Sequence, residues 1–565
     1  CKNRENQACP PWSLQAEKIR HNASNKTIYY DNAVLKVYDF PIFYFPRLSH
    51  PDPSVDRRSG FLVPTLYDTK NLGSSVSIPY FFNLGLDKNL TLTNRLYVSE
   101  NPLFLGEYHQ AFKDSSLLTD FGYTEGYKKT SEKKRSGEKK HFFTKFVKNY
   151  TNEYNYENVL EVNVQKVTND KYLKLYKIET NLVDYNKENL ENSINFSQER
   201  NNLFVGLNAS VYETLKGDYN DKYEYILPEI TIDKTLFSKE NLGNLELQTN
   251  YKVHNYDTNK LTNFLVNDFN FESEENIFDS IINSKFLANL KNINYESKNV
   301  DIYKKDRTSE IFGSIGLLSE ISFQKFKNLS KHLLKPKMLV RLSPGSMRQE
   351  ISGSRLTPSS AFGMNRVDNI NNYETGITGT VGFDYKIKKD NVTKFDFSLA
   401  QIINEKENKK MANKSSLNEK LSDLVGSSKY NLSENFKLDY NFSVDQNYND
   451  FNYNEVGATY DNGALNIGFN YLNENKHIGD QDYFKTELNI KNKDKGLLSF
   501  KTKRNLITNS SEFYNLSYEY INDCLRAGLV YRREFYKDSE LEPEDSLMFK
   551  VTLIPFGNLD SPQLY

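Results

Sequence analysis

From about residue 60 almost to its end, the chain alternates apolar and polar side chains with a period of two, and this pattern limits its fold more than any other feature. Val381, Phe383, Tyr385 and Ile387 alternate with small or polar residues, a KKDN turn follows at 388–391, and Phe395, Phe397 and Leu399 resume the pattern. Phe436, Leu438, Tyr440, Phe442 and Val444 form another such run, and Leu465, Ile467, Phe469 and Tyr471 follow an Asp461-Asn462-Gly463 turn. Leu547, Phe549, Val551 and Leu553 make the last. Successive strand side chains point to opposite faces, so this pattern specifies half-buried strands joined by hairpins. An open meander of that length would expose long edges, and closure removes them. At ~10 residues per membrane-crossing strand plus turns, the stretch holds on the order of 22–28 strands. The expected fold is all-β, a large closed antiparallel transmembrane β-barrel.

Composition agrees. Among 565 residues, 39 are Tyr and 37 Phe but only one is Trp, a bias that suits pleated, half-buried surfaces. No run of eighteen apolar residues occurs, which excludes a membrane-spanning helix but not a barrel, whose strands face lipid only at alternate positions. The mean hydropathy of −0.69 suits such a barrel or a polar soluble β protein such as an adhesin or solenoid. A solenoid would need a fixed-period repeat, and none is visible.

The chemistry-bearing residues are dispersed. The formal net charge of −1 gives no electrostatic case for a nucleic-acid partner. The seven histidines stand singly, with no i, i+4 pair to hold zinc. No nucleophile elbow, phosphate loop or dinucleotide fingerprint is present, so the expectation is a non-enzyme without cofactor or metal. The run KKTSEKKRSGEKKH (128–141) is dense in Lys and Arg but has no interleaved aromatics for base stacking. It reads as a solvated loop whose Lys133, Lys134 and Arg135 could meet lipopolysaccharide phosphates if it stands on the outer side of a barrel. Three cysteines, Cys1, Cys9 and Cys524, have no metal spacing, and one disulfide between the chain ends is the natural reading, which requires an oxidising compartment.

Six of the sixteen prolines fall between residues 41 and 80. Pro41, Pro46, Pro51 and Pro53 are expected to stiffen a hinge over 41–59, between short strands in 1–40 and a barrel over 60–557, with a tail at 558–565. Pro64 and Pro79 fall inside strand-like runs, where each removes a donor from the ladder and leaves the pair weakly zipped.

The same stretch carries a resemblance. P-I-F-Y-F-P (41–46), H-P-D-P (50–53), R-R-S-G-F-L-V-P (57–64) and I-P-Y-F-F-N (78–83) resemble, in that order, the start of the barrel in the outer-membrane LPS-assembly protein family, LptD. Supporting matches are P-W-S-L-Q-A-E-K-I (11–19), Asp170-Lys171-Tyr172-Leu173, L-K-P-K-M-L-V-R-L-S-P (334–344), F-G-M-N-R-V-D (362–368) and Y-R-R-E-F-Y (531–536). The resemblance implies a barrel of about 26 strands preceded by the C-terminal remnant of a periplasmic β-jelly roll. It also implies insertion of lipopolysaccharide into the outer leaflet of the outer membrane, through a lateral gate between first and last strands at Pro64 and Pro79. Its implied partners are lipopolysaccharide, outer-membrane lipid, an LptE-like plug lipoprotein and a periplasmic transport bridge that would reach the barrel through the missing part of the jelly roll. The chain departs from the family in its short N-terminal portion and in having a single cysteine near the C-terminus, so only Cys1 or Cys9 can join Cys524. Another outer-membrane transport barrel, a porin or nutrient transporter, is the alternative reading.

Overall fold

The computed structural model describes residues 12–37, 40–52, 55, 57–131, 134, 136–216, 221–257, 259–274, 281–327, 329–351, 353–492, 496–521, 525–535 and 543–553. Two sheets account for nearly all of it. The first is a three-stranded antiparallel sheet of β1 (Trp12–Asn22), β2 (Thr27–Val37) and β3 (Phe40–Pro51), in that order. Pro41, Pro46 and Pro51 therefore lie within an edge strand, a place that tolerates a missing N–H, and the sheet takes up the first part of the segment expected to be a hinge. Pro53 lies outside the described residues.

The second sheet is the barrel. Its first strand is broken into β4 (Gly60–Phe61) and β5 (Thr65–Thr69), followed by β6 (Gly73–Asn83) and β7 (Lys88–Tyr97). Each later strand pairs with the next, and the last, Glu544–Leu553, returns to β5 and closes the cylinder. Thr308–Ile321 and Phe323–Lys327 are likewise two pieces of one strand, since both pair with Ser330–Ser343. With each broken strand counted once, the barrel has 26 antiparallel strands.

The alternation in the sequence becomes an inside and an outside. On Ser115–Gly126, Asp120, Gly122 and Thr124 are buried while Phe121 and Tyr123 are exposed. Outward positions line up from strand to strand into an apolar belt. Around the closure, Leu96, Val76, Leu66, Phe549, Leu529, Tyr518, Leu498 and Ile490 are successive cross-strand neighbours. A contiguous exposed apolar band of this kind is stable only against lipid.

The two ends of the barrel differ. One end closes in short turns such as 201–202, 240–242 and 390–391, and the chain enters β4 from this end. The other end carries the long connections 168–188, 344–375 and 405–423, which fold back against the inner wall. The first of these holds a five-residue helix, α1 (Tyr172–Tyr176). An isolated helix that short has no stability of its own. It forms because Tyr172, Leu173, Leu175 and Tyr176 are buried against Leu103, Phe143, Val167 and Leu190 of the wall. The second and third connections share an apolar cluster that includes Met347, Leu356, Met411 and Leu417.

Candidate seam and luminal loops

Where the cylinder closes, β5 and the last strand share only five residue pairs, from Thr69 opposite Ser546 to Thr65 opposite Lys550. Most neighbouring strands pair over about twice that length; β6 and β7, for example, pair over nine residues. Val551 to Leu553 continue the last strand and pair with Leu525 to Ala527 on the penultimate one, but have no ladder partner on the first-strand side.

The ladder stops where Pro64 begins. In an antiparallel sheet, the N–H and C=O of one residue point to the same neighbour, and successive residues alternate. Lys70 N donates to Asp545 O, so a ladder continued in the register of β5 would have its next rung at residue 64, opposite Val551. A proline there removes the donor that would form the next rung. Pro79, in β6, accepts at its carbonyl from Leu62 N at 2.9 Å, so its own missing N–H also faces the first strand. Between Phe61–Tyr80 and Thr65–Ser77, three residues of the first strand oppose two of β6. This is one residue in excess, as in a β-bulge, and it coincides with both prolines. The sequence places Pro64 and Pro79 in the first two barrel strands. The structure puts Pro79 within β6 and Pro64 in the break that divides the first strand.

The unzipped end of the seam lies at the short-turn end, beside the three-stranded sheet, and the connection between them is pinned. Arg58 donates to Asn25 O at 2.9 Å and to Thr27 Oγ1, while Arg57 donates to Leu86 O at 3.2 Å and its guanidinium sits 5.4 Å from the Phe81 ring. Ser59 Oγ accepts from Asn83 N at 2.8 Å. The Arg-Arg-Ser of the motif thus ties one side to the sheet and the other to the first barrel turn.

At the opposite, long-loop end, the seam is covered from inside. Lys177, just after α1, makes ion pairs with Glu534 on the penultimate strand and, at 3.3 Å, with Glu544 on the last. The preceding residue, Tyr176, accepts at its carbonyl from Arg95 of β7. Arg95 is buried, donates to Ser77 Oγ at 2.9 Å and lies 4.4 Å over the ring of Tyr67 in β5. The sequence reading singles out none of Arg95, Lys177, Glu534 and Glu544. The available signal is five apolar or aromatic residues among the seven from Tyr172 to Ile178, in a long gap between strands, but nothing in it says which strands the loop will touch.

Loops 344–375, 405–423 and 475–480 are joined by buried charges. Arg366 binds Glu374 through two nitrogens, one at 2.7 Å, and both side chains are fully buried. Burial pushes the Glu374 carboxyl up, but Arg366 and Arg341 outweigh it and hold the group below its ordinary value of 4.5. Arg355 reaches Glu474 at 3.2 and 2.6 Å, and the His477 ring lies 3.4 Å from Glu474 and 3.5 Å from Asp423. Burial raises the Asp423 carboxyl, yet the His477 ring beside it and hydrogen bonds from Asn452 and Ser443 bring it below its ordinary 3.8.

The basic run 128–141 is not a solvated loop throughout: Ser136 to His141 open the wall strand Ser136–Thr151, with Lys139 and His141 buried, because their alternate side chains face the barrel interior. Of Lys133, Lys134 and Arg135, Lys134 is described, and it folds back. Its Nζ lies 5.1 Å over the Tyr127 ring and 3.5 Å from Asn71 O, close to the first hairpin. Lys133 and Arg135 lie outside the described residues, as do Cys1, Cys9 and Cys524. Among the described residues, no cluster of His, Cys, Asp and Glu is suited to hold a metal ion.

Comparison with known proteins places the chain. The family model for LPS transport system D matches residues 142–494. The LPS-assembly protein LptD of Francisella tularensis subsp. holarctica (strain OSU18) is 30% identical over 167 residues, which cover 28% of this chain and 19% of that protein. Its namesake from Shewanella sp. (strain ANA-3) is 39% identical over 100 residues, covering 17% and 13%. The matched part thus spans less than a fifth of either relative. Among solved structures, the FrpB iron transporter from Neisseria meningitidis (F5-1 variant) covers 93% of this chain and 86% of its own, but at 8% identity and a TM-score of 0.30 it carries no argument.

Proposed function

The chain belongs to the LptD family, and on that premise we propose that it delivers lipopolysaccharide to the outer leaflet of the outer membrane by parting the seam between its first and last strands. One observation carries this reading. The seam ladder ends at Thr65–Lys550, at the proline-bearing end, so a lipid rising from the three-stranded sheet meets unpaired backbone first. Opening there breaks few hydrogen bonds, and the wall on either side presents apolar side chains outward to receive acyl chains.

Loop asymmetry supports the orientation. Outer-membrane barrels have short periplasmic turns and long extracellular loops, which puts the three-stranded sheet, as a jelly-roll remnant, in the periplasm and the loop clusters at the cell surface. Those clusters crowd the upper lumen and run against an open diffusion pore. In the same reading, a plug lipoprotein of the LptE kind occupies the lower lumen, a periplasmic bridge supplies the lipid, and Cys524 pairs with Cys1 or Cys9. Lys133, Lys134 and Arg135 meet lipid phosphates at the surface. No bond of the cargo changes, so the protein acts as a conduit and not an enzyme.

A cross-link tests the reading. Leu66 and Phe549 are directly opposite across the seam and both face outward. A Leu66→Cys/Phe549→Cys chain, oxidised, is expected to stop new lipopolysaccharide from reaching the cell surface, while each single variant delivers it normally. Normal delivery by the cross-linked protein would overturn the proposal.

A further inference from the structure

We infer that the loop 168–188 is a latch across the upper seam, with Lys177 as the positioning residue that holds the last two strands to the first three. This rests on the reading of the seam as the exit and adds the element that keeps it shut at the surface side.

Two adjacent loop residues are gripped from opposite sides of the seam. Tyr176 is held at its carbonyl by Arg95, whose guanidinium also covers Tyr67 and bonds Ser77, so this side of the grip includes β5, β6 and β7. Lys177 is held by Glu534 and Glu544, which belong to the penultimate and last strands. Among the described residues, no strand ladder other than the five pairs of the seam joins those two groups of strands directly. Parting the upper seam must therefore either break the Lys177 ion pairs or pull Tyr176 from Arg95.

The backbone at Lys177 supports the same role. It closes α1 with φ 48° and ψ 54°, the left-handed conformation usually given to glycine at a helix end. Ile178 N reaches back to Leu173 O at 3.1 Å, completing the closure. A side chain at this position carries a backbone cost that glycine would avoid, and such residues persist where the side chain has a task. Here the αL turn directs the ammonium to the two carboxylates, with Tyr185 against it at 5.0 Å. The side chains of Lys177 and Glu544 are 12% and 5% exposed, so water competes little for the pair.

The seam is thus asymmetric. Its lower end has prolines and no ladder, and its upper end has five pairs and an ionic bridge, so opening starts below and is completed only when the latch lets go.

Amide hydrogen exchange of the full chain in lipid nanodiscs tests this. In Lys177→Met, the amides of 66–69 and 546–549 are expected to exchange at least tenfold faster, while those of Gly243–Tyr256, on a remote part of the wall, are unchanged. Lys177→Arg should restore slow exchange. Arg307→Met, which removes an exposed pair with Glu296 on a remote part of the wall, should have no effect. If Lys177→Met does not fold, the Glu534→Gln/Glu544→Gln chain removes the same bridge from the other side. Unchanged seam exchange in whichever variant folds would overturn the latch, as would uniform acceleration across the wall. Because this readout needs no lipid transport, it stands apart from the Leu66–Phe549 cross-link. A fast-exchanging seam whose cross-link leaves delivery intact would refute the exit and not the latch.

Discussion

Thr65 on the first barrel strand lies opposite Lys550 on the last, and the ladder that closes the cylinder ends at this pair. One residue further along the first strand stands Pro64, with no N–H to offer a further rung. With each broken strand counted once, the 26-stranded cylinder therefore closes on its shortest joint among the described residues, five pairs against six or more elsewhere, and that joint ends beside a proline.

Restoring the donors should lengthen the joint. In Pro64→Val/Pro79→Val, the amides of residues 64 and 551–553 are expected to become protected from exchange, and arrival of lipopolysaccharide at the surface to slow. Each new rung is worth on the order of 1 kcal/mol. Unaltered exchange at 551–553 would show that something other than the missing donor ends the ladder.

The Arg366–Glu374 pair lies among the loops of the long-loop end with both partners fully buried. Removing one partner leaves an uncompensated charge, so Arg366→Met is expected to destabilise loop 344–375 by about 3–5 kcal/mol. Arg366→Met/Glu374→Met should recover much of that loss. Urea titration followed by protease cutting within the loop would measure both, and equal losses in the single and double variants would contradict the charge argument.

The same loops should respond to acid. Folded Glu374 and Asp423 both titrate below their ordinary values of 4.5 and 3.8, so their stabilisation is fully present above those values and is lost as pH falls through the lower folded ones. Protease resistance of 344–375 and 405–423 is expected to hold from neutral pH down to about 5 and to fail below about 4. Failure well above that window would assign control to another group.

Arg58 bridges the three-stranded sheet and the barrel entrance through Asn25 O and Thr27 Oγ1. Arg58→Ala should broaden the distribution of distances between spin labels placed on β2 and on β6, with the barrel itself unchanged. An unbroadened distribution would mean that Asp52 N to Lys26 O and the rest of the connection suffice to hold the sheet.

Much of the fold is legible along the chain because a strand's inside and outside are written at a period of two. Phe121 and Tyr123 alternate with Asp120, Gly122 and Thr124 in the sequence as they do in the wall. The prolines were legible too, as missing donors. Their strand positions were less so. Pro41, Pro46 and Pro51 prove to be edge-strand residues, because an edge tolerates them as well as a connection does. The short helix was not expected, since Tyr172 to Tyr176 is helical only against a wall built from residues far along the chain.

By itself, then, the sequence determined a closed antiparallel barrel, its apolar outer face and two prolines near its start, because alternation and the absent proline N–H are local properties of the chain. Only the tertiary structure decided that the ladder ends at Thr65–Lys550, that Pro64 falls in the break of the first strand, and that Lys177 bridges to Glu534 and Glu544. Those contacts join residues hundreds of positions apart. Closing the cylinder brings the first and last strands together, and no periodicity in the sequence encodes where their register stops.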